Sequence, residues 1–111
     1  MAPAEIALLL FGAAGVLGVF ASMSASDSWK PKVLTHAAVA VAGTSTLTFA
    51  AMSGGGGIIT FGVIAAGLTG AIGLYMLVTG FTGKETPGLA RAAHWLAAWL
   101  AVIVVIGVIV E

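Results

Sequence analysis

Two histidines are the residues of this chain whose chemistry could build a site. His36 lies in the apolar stretch VLTHAAVAVAG, His94 lies in LARAAHWLAAWLA, and the sequence has no other histidine. A neutral imidazole accepts or donates a hydrogen bond, relays a proton or ligates a metal. The elements that carry the two rings decide which of these roles is open to them.

The composition is that of an integral membrane protein. Of the 111 residues, 60% are hydrophobic and 7% are charged, whereas soluble domains carry about 25% charged residues. Apolar runs close to the ~20 residues that cross a hydrocarbon core recur four times. We therefore predict an all-α integral membrane protein with four transmembrane helices in an antiparallel bundle. The predicted spans are approximately 5–23, 33–52, 58–80 and 92–110, in one domain covering residues 1–111.

The charged residues predict how the spans are oriented. All four basic residues lie in loops 24–32 and 81–91, while Glu5 and Glu111 lie near the termini. The positive-inside rule then places both loops in the cytoplasm and both termini outside, in what we expect to be a prokaryotic cell membrane. The N-terminal segment MAPAE lacks Lys and Arg, so we expect the first span to be retained and not cleaved as a signal peptide.

The two halves of the sequence share a plan. Each has an apolar helix with glycines, a loop with lysine and proline, and a second helix with a histidine near its start: Pro31 precedes His36, and Pro87 precedes His94. A duplicated helical hairpin would give this pattern. Two unrelated hairpins that obey the same positive-inside rule would also give it.

Helical periodicity predicts where the histidines point. At about 100° per residue, the face of His36 also carries small residues such as Ala40 and Gly43, and the face of His94 carries Ala97 and Ala101. The large side chains of the fourth span occupy its other faces and suit the lipid side. Both imidazoles should thus point into the bundle, within about one turn of their helix starts and at similar depth.

Two inward imidazoles at one depth indicate three candidate roles. They could make ordinary hydrogen bonds between helices, serve a proton or ion relay, or act as axial ligands of haem b or another tetrapyrrole. In the last case Arg91, Lys30 and Lys32 are the candidate partners of the propionates, at the nearby interface. The chain has no cysteine and no third histidine, so we predict no metal beyond a haem iron.

Other functions lack the residues they need. The sequence has no nucleophile motif or carboxylate pair, so we expect no catalysis by this chain alone. Zero net charge argues against a nucleic-acid partner. The expected partners are the lipid bilayer and other membrane subunits, or further copies of the chain. The favoured function is a small non-catalytic subunit or anchor of a larger membrane complex for electron transport or energy conversion; the alternatives are an oligomeric transporter or channel and a cofactor-free structural membrane protein.

Two limited resemblances bear on these alternatives. The length and four-span plan resemble the small multidrug resistance transporters, but that family needs an acidic residue well inside the first helix, where this chain has only Glu5 at the edge. The string AHWLAAW, Ala93 to Trp99, resembles the histidine segment of bacterial light-harvesting polypeptides, which have a single span. The first resemblance covers topology and length, and the second covers seven residues.

Overall fold

The computed structural model describes residues 1–24 and 28–111, and this part of the chain folds into four α-helices. The helices are α1 (Pro3–Met23), α2 (Trp29–Met52), α3 (Gly56–Phe81) and α4 (Gly88–Val110). By length and composition, each is long and apolar enough to cross a membrane. The predicted all-α fold with four such helices is confirmed.

The helices begin two to four residues before the predicted spans, and for α2 this changes the position of functional candidates. Pro31 was expected just before the helix, but α2 begins at Trp29 and includes Lys30, Pro31 and Lys32. Proline is tolerated there because an N–H in the first turn has no acceptor within the helix. Residues 25–27, in the middle of the predicted loop 24–32, lie outside the described residues. Because α4 likewise begins four residues early, at Gly88, His36 and His94 both lie nearly two turns inside their helices, not one.

Threonine hydroxyls in the least apolar helix, α2, are satisfied within the helix itself. The hydroxyls of Thr44, Thr46 and Thr48 each donate to the carbonyl four residues earlier, at 2.8–2.9 Å. Such bonds remove the cost of placing a free hydroxyl in hydrocarbon. This helix can therefore span a membrane despite its polar content.

The connections are short and end the helices with defined geometry. Gly83 has a φ of +77°, and the N–H groups of Gly83 and Lys84 donate to the carbonyls of Gly80 and Thr79. This pair of bonds is a Schellman motif, in which glycine takes the left-handed conformation. Gly54, with a φ of +94°, turns the chain between α2 and α3 in a similar way.

The bundle consists of two hairpins, α1 with α2 and α3 with α4. The most extensive packing is within each hairpin, and the hairpins meet where α2 contacts α3 and α1 contacts α4. This order places α2 and α4 on a diagonal of the bundle. The described molecule measures 43 × 24 × 19 Å.

The aliphatic core lies at the end of the bundle that carries the chain termini. Leu47, Ile59 and Val105 are fully buried there together with Ala7, so all four helices contribute. The large side chains Trp95, Leu96, Trp99, Leu100, Ile103 and Ile106 of α4 are exposed. The expectation that these large side chains lie outside the bundle is therefore confirmed, and an exposed apolar face is compatible with a lipid environment.

The two hairpins are structurally equivalent to a degree that the sequence only suggested. Residues of α1 correspond to residues of α3 at an offset of 55, as in the buried pairs Ala7/Gly62 and Ala4/Ile59. Residues of α2 correspond to residues of α4 at an offset of 58, as in the buried pair Leu47/Val105. His36 and His94 are related by the same offset.

Candidate functional site: a facing pair of histidines

The structure brings His36 and His94 together across the diagonal of the bundle. The two ring centroids are 6.2 Å apart, and the ring planes are inclined by 66°. Both side chains are half-buried. His36 is the eighth residue of α2 and His94 the seventh of α4, so the rings lie at similar depth in the half of the bundle away from the aliphatic core.

Each imidazole is fixed by a backbone carbonyl of the neighbouring helix in its own hairpin. Nδ1 of His36 lies 2.6 Å from the carbonyl oxygen of Ala14 in α1, and Nδ1 of His94 lies 3.0 Å from that of Thr69 in α3. A carbonyl oxygen can only accept a hydrogen bond, so Nδ1 must be the donor. In the neutral ring the remaining nitrogen, Nε2, then carries the lone pair.

A glycine makes each of these close approaches possible. A Cβ placed on Gly18 would lie 3.1 Å from Cε1 of His36, and a Cβ placed on Gly73 would lie 3.0 Å from Cε1 of His94. Gly18 and Gly73 follow the accepting residues, Ala14 and Thr69, by four positions. Both hairpins thus contain the same unit of carbonyl, glycine and imidazole, related by the same offsets as the buried pairs Ala7/Gly62 and Leu47/Val105.

The separation of the two ring centroids is compatible with two imidazole ligands on one metal ion. Two metal–nitrogen bonds of about 2.1 Å and two imidazole radii of about 1.1 Å would allow a centroid separation of at most about 6.4 Å. The observed separation is 6.2 Å. A hydrogen bond from the second ring nitrogen to a carbonyl is the usual support of a ligating histidine, because it sets the tautomer and the orientation.

The residues that follow the two histidines on their own helices are small. Ala40 and Gly43 follow His36 on its face of α2, and Ala98 and Ala101 follow His94 on its face of α4. The buried side chains Leu47 and Val105 are each eleven residues away, or about 16 Å along their helices. Nearer to the histidines, the ring of Phe11 in α1 packs on Gly43 and against the buried cluster of Ala65, Ala66 and Ala101.

The three basic candidates lie at the same end of the bundle as the histidines, in the first turns of the same two helices. Nζ of Lys32 donates to Oγ of Ser24 at 2.6 Å, and Nζ of Lys30 lies 5.9 Å from the ring centroid of Phe81. Arg91 is exposed. Lys32 precedes His36 by four residues and Arg91 precedes His94 by three, so each shares a helix side with a histidine. Lys30 packs instead toward the end of α3.

Several residues of this site were not found by sequence reasoning. Ala14 and Thr69 contribute only backbone atoms, which leave no mark on residue type. Neither Gly18 nor Gly73 was predicted to contact a histidine. The signal that could have found both glycines is the offset of 55 between α1 and α3.

Comparisons with protein-family models, with curated proteins and with solved structures found no match. The geometry of the histidine pair and the properties of the helices therefore carry the functional argument.

Proposed function

We propose that this chain is a small membrane subunit that holds haem b, or a related tetrapyrrole, between its two hairpins with His36 and His94 as axial ligands. The observation that carries the proposal is the facing pair of imidazoles, 6.2 Å apart, each with Nδ1 occupied by a carbonyl. In that arrangement Nε2 of each ring carries the lone pair and could ligate a metal. The two rings lie at similar depth in the bundle.

The residues of the chain would then divide the work of binding. His36 and His94 supply the ligand atoms and, through their carbonyl bonds, keep the rings from rotating. Lys32 and Arg91 lie one turn nearer to the end of the bundle that carries loops 24–32 and 81–91, which we call the loop end. There they would neutralise the propionates. The apolar helices on either side would favour retention of the apolar macrocycle. The group itself would supply one-electron redox chemistry.

A subunit of a larger complex is the context that best suits such a site. The described chain consists almost entirely of spans and short connections. Electrons would then reach and leave this site through other proteins or through a lipid-soluble carrier. We accordingly propose a non-catalytic electron-transport subunit or anchor, associated with other membrane subunits or with further copies of itself.

We also propose the orientation that the charges favour. Lys30, Lys32, Lys84 and Arg91 all lie at the loop end of the bundle, and Glu5 and Glu111 lie at the other end. The positive-inside rule supports a cytoplasmic loop end in a prokaryotic cell membrane, with both termini outside. The histidine pair would then lie nearer to the cytoplasmic surface.

Titration of the purified chain with haemin tests the proposal. We expect the wild-type protein in detergent micelles to bind one haemin per chain with a shifted Soret band, and His36→Ala and His94→Ala each to weaken this binding by at least tenfold. Thr35→Ala and Trp95→Ala are matched controls, since they change the residues beside the histidines on exposed positions.

The outcomes separate the candidate functions. Wild-type protein that does not bind haemin, or binding that survives both histidine substitutions, would contradict the proposal. A protein that stays colourless but carries ions or substrates across liposome membranes would support the oligomeric transporter or channel. A protein that neither binds haemin nor carries ions or substrates would support the cofactor-free structural protein.

A further inference from the structure

The two helices that face the histidines contain glycines in two different environments. Gly18 and Gly73 are each in close approach to an imidazole, whereas Gly15 and Gly70, three residues earlier, have open space where a Cβ would lie. The offset of 55 relates Gly15 to Gly70 as it relates Gly18 to Gly73. The chain therefore contains both the candidate residues and their internal controls in duplicate.

The location of each close glycine relative to the carbonyl explains its role. In an α-helix, the N–H of residue i+4 donates to the carbonyl of residue i, so Gly18 lies directly next to the carbonyl of Ala14, and Gly73 next to that of Thr69. A side chain at that position covers the carbonyl. Its absence leaves the oxygen accessible to a second donor from the neighbouring helix.

We propose that Gly18 and Gly73 are positioning residues that set the tautomer of the two histidines. By leaving the carbonyl four residues earlier uncovered, each admits an imidazole ring close enough for Nδ1–H to donate, which makes Nε2 the nitrogen with the lone pair. The hydrogen bonds stand on the structure alone. The use of Nε2 as a haem ligand rests on the proposed function.

The two hydrogen bonds respond differently to an added methyl group. Ring contacts of 3.0–3.1 Å require the imidazole to retreat by a few tenths of an ångström. The His94 bond starts at 3.0 Å and would exceed the usual limit of about 3.2 Å for N–H···O bonds. The His36 bond starts at 2.6 Å and would lengthen to an ordinary distance. Gly73→Ala should therefore disrupt its histidine, while Gly18→Ala should only weaken the corresponding bond.

Nitrogen-15 NMR of the histidine rings tests this inference on the full-length chain in lipid bilayers without added cofactor. We expect both wild-type rings to be neutral with the proton on Nδ1, at mildly alkaline pH. In Gly73→Ala the His94 signals should change to a mixture of tautomers while those of His36 stay in place. In Gly18→Ala the Nδ1 proton of His36 should shift upfield without loss of the tautomer. Gly15→Ala and Gly70→Ala should leave both rings unchanged.

Several results would overturn the inference. Wild-type rings that carry the proton on Nε2 would contradict the inference. This observation needs no variant, so the test does not depend on the variants folding. If Gly70→Ala and Gly73→Ala change the tautomer of His94 equally, the inference is also contradicted. A chain with the expected tautomers that does not bind haemin would contradict the proposed function and leave the inference intact. If the histidines bind haemin but the cofactor-free rings carry the proton on Nε2, the inference about the glycines is contradicted and the proposed function is not.

Discussion

Leu47 and His36 lie on the same face of α2, eleven residues apart, and depend on different interactions. His36 is fixed by a hydrogen bond and remains half-buried, whereas Leu47 is fully buried among Ala7, Ile59 and Val105. Between helices in lipid, packing replaces the hydrophobic drive that water provides. The fit of Leu47 should therefore contribute directly to the stability of the bundle.

Leu47→Ala should lower the free energy of unfolding by about 2 kcal/mol, because the cavity left behind removes packing contacts from all four helices. Equilibrium unfolding in mixed micelles, followed by circular dichroism, measures this change. Leu96→Ala is the matched control, since Leu96 is 72% exposed and should cost less than about 0.5 kcal/mol. Equal losses for the two variants would contradict the assigned core.

At the residue scale, the sequence predicted which side chains point into the bundle, but it did not predict the hydrogen-bond partners of the histidines. The small face of α4 is buried at Ala97, Ala101 and Val105, as helical periodicity indicated. The carbonyl of Ala14 could not be predicted as the partner of His36, because the rotation of α1 against α2 is set by packing between the helices and not by local sequence. The depths of His36 and His94 were both underestimated, because α2 and α4 begin four residues before the predicted spans.

Element by element, the short connections determine how the helices pair. The Schellman motif at Gly83 ends α3 within two residues of Phe81 and lets α4 begin at Gly88, so the second hairpin has a short connection. The sequence predicted a loop at this position, over residues 81–91. It did not single out Gly83, since glycine at a loop position is common and only the positive φ shows that it is needed.

Gly83→Ala should destabilise the protein by about 1 kcal/mol, because a Cβ disfavours the left-handed conformation at φ +77°. Thermal unfolding of the variant beside the wild type measures the loss. Gly88→Ala provides the comparison, since Gly88 has no positive φ and open space at the position of its Cβ. A loss in Gly88→Ala as large as that in Gly83→Ala would mean that the cap is not the cause.

For the molecule as a whole, the sequence predicts four spans and an apolar exterior. Both follow from the composition and from the helical periodicity of the apolar residues. The diagonal placement of α2 and α4 does not follow from them, because any of several helix orders would bury the same faces. This placement is what makes the histidines face each other. The pseudo-symmetry of the two hairpins was open in the sequence and is visible in the buried and hydrogen-bonded residues that the offsets relate.

The orientation in the membrane can be tested cleanly because the chain has no cysteine. A single cysteine in place of Ser53, in the glycine turn, should react with a membrane-impermeant maleimide added to intact cells. A single cysteine in place of Glu85 should react only after the membrane is permeabilised. The opposite labelling pattern would place the loop end and its basic residues outside and contradict the proposed orientation.

Electron paramagnetic resonance of the ferric haemin complex tests the central claim most directly, because it reports the axial ligands of the iron. The wild-type chain should give a low-spin spectrum of two imidazole ligands. His36→Ala and His94→Ala, at haemin concentrations that still load them, should each give a high-spin spectrum from the loss of one ligand. A high-spin wild-type spectrum, or a low-spin spectrum that persists in either variant, would contradict coordination by the facing pair.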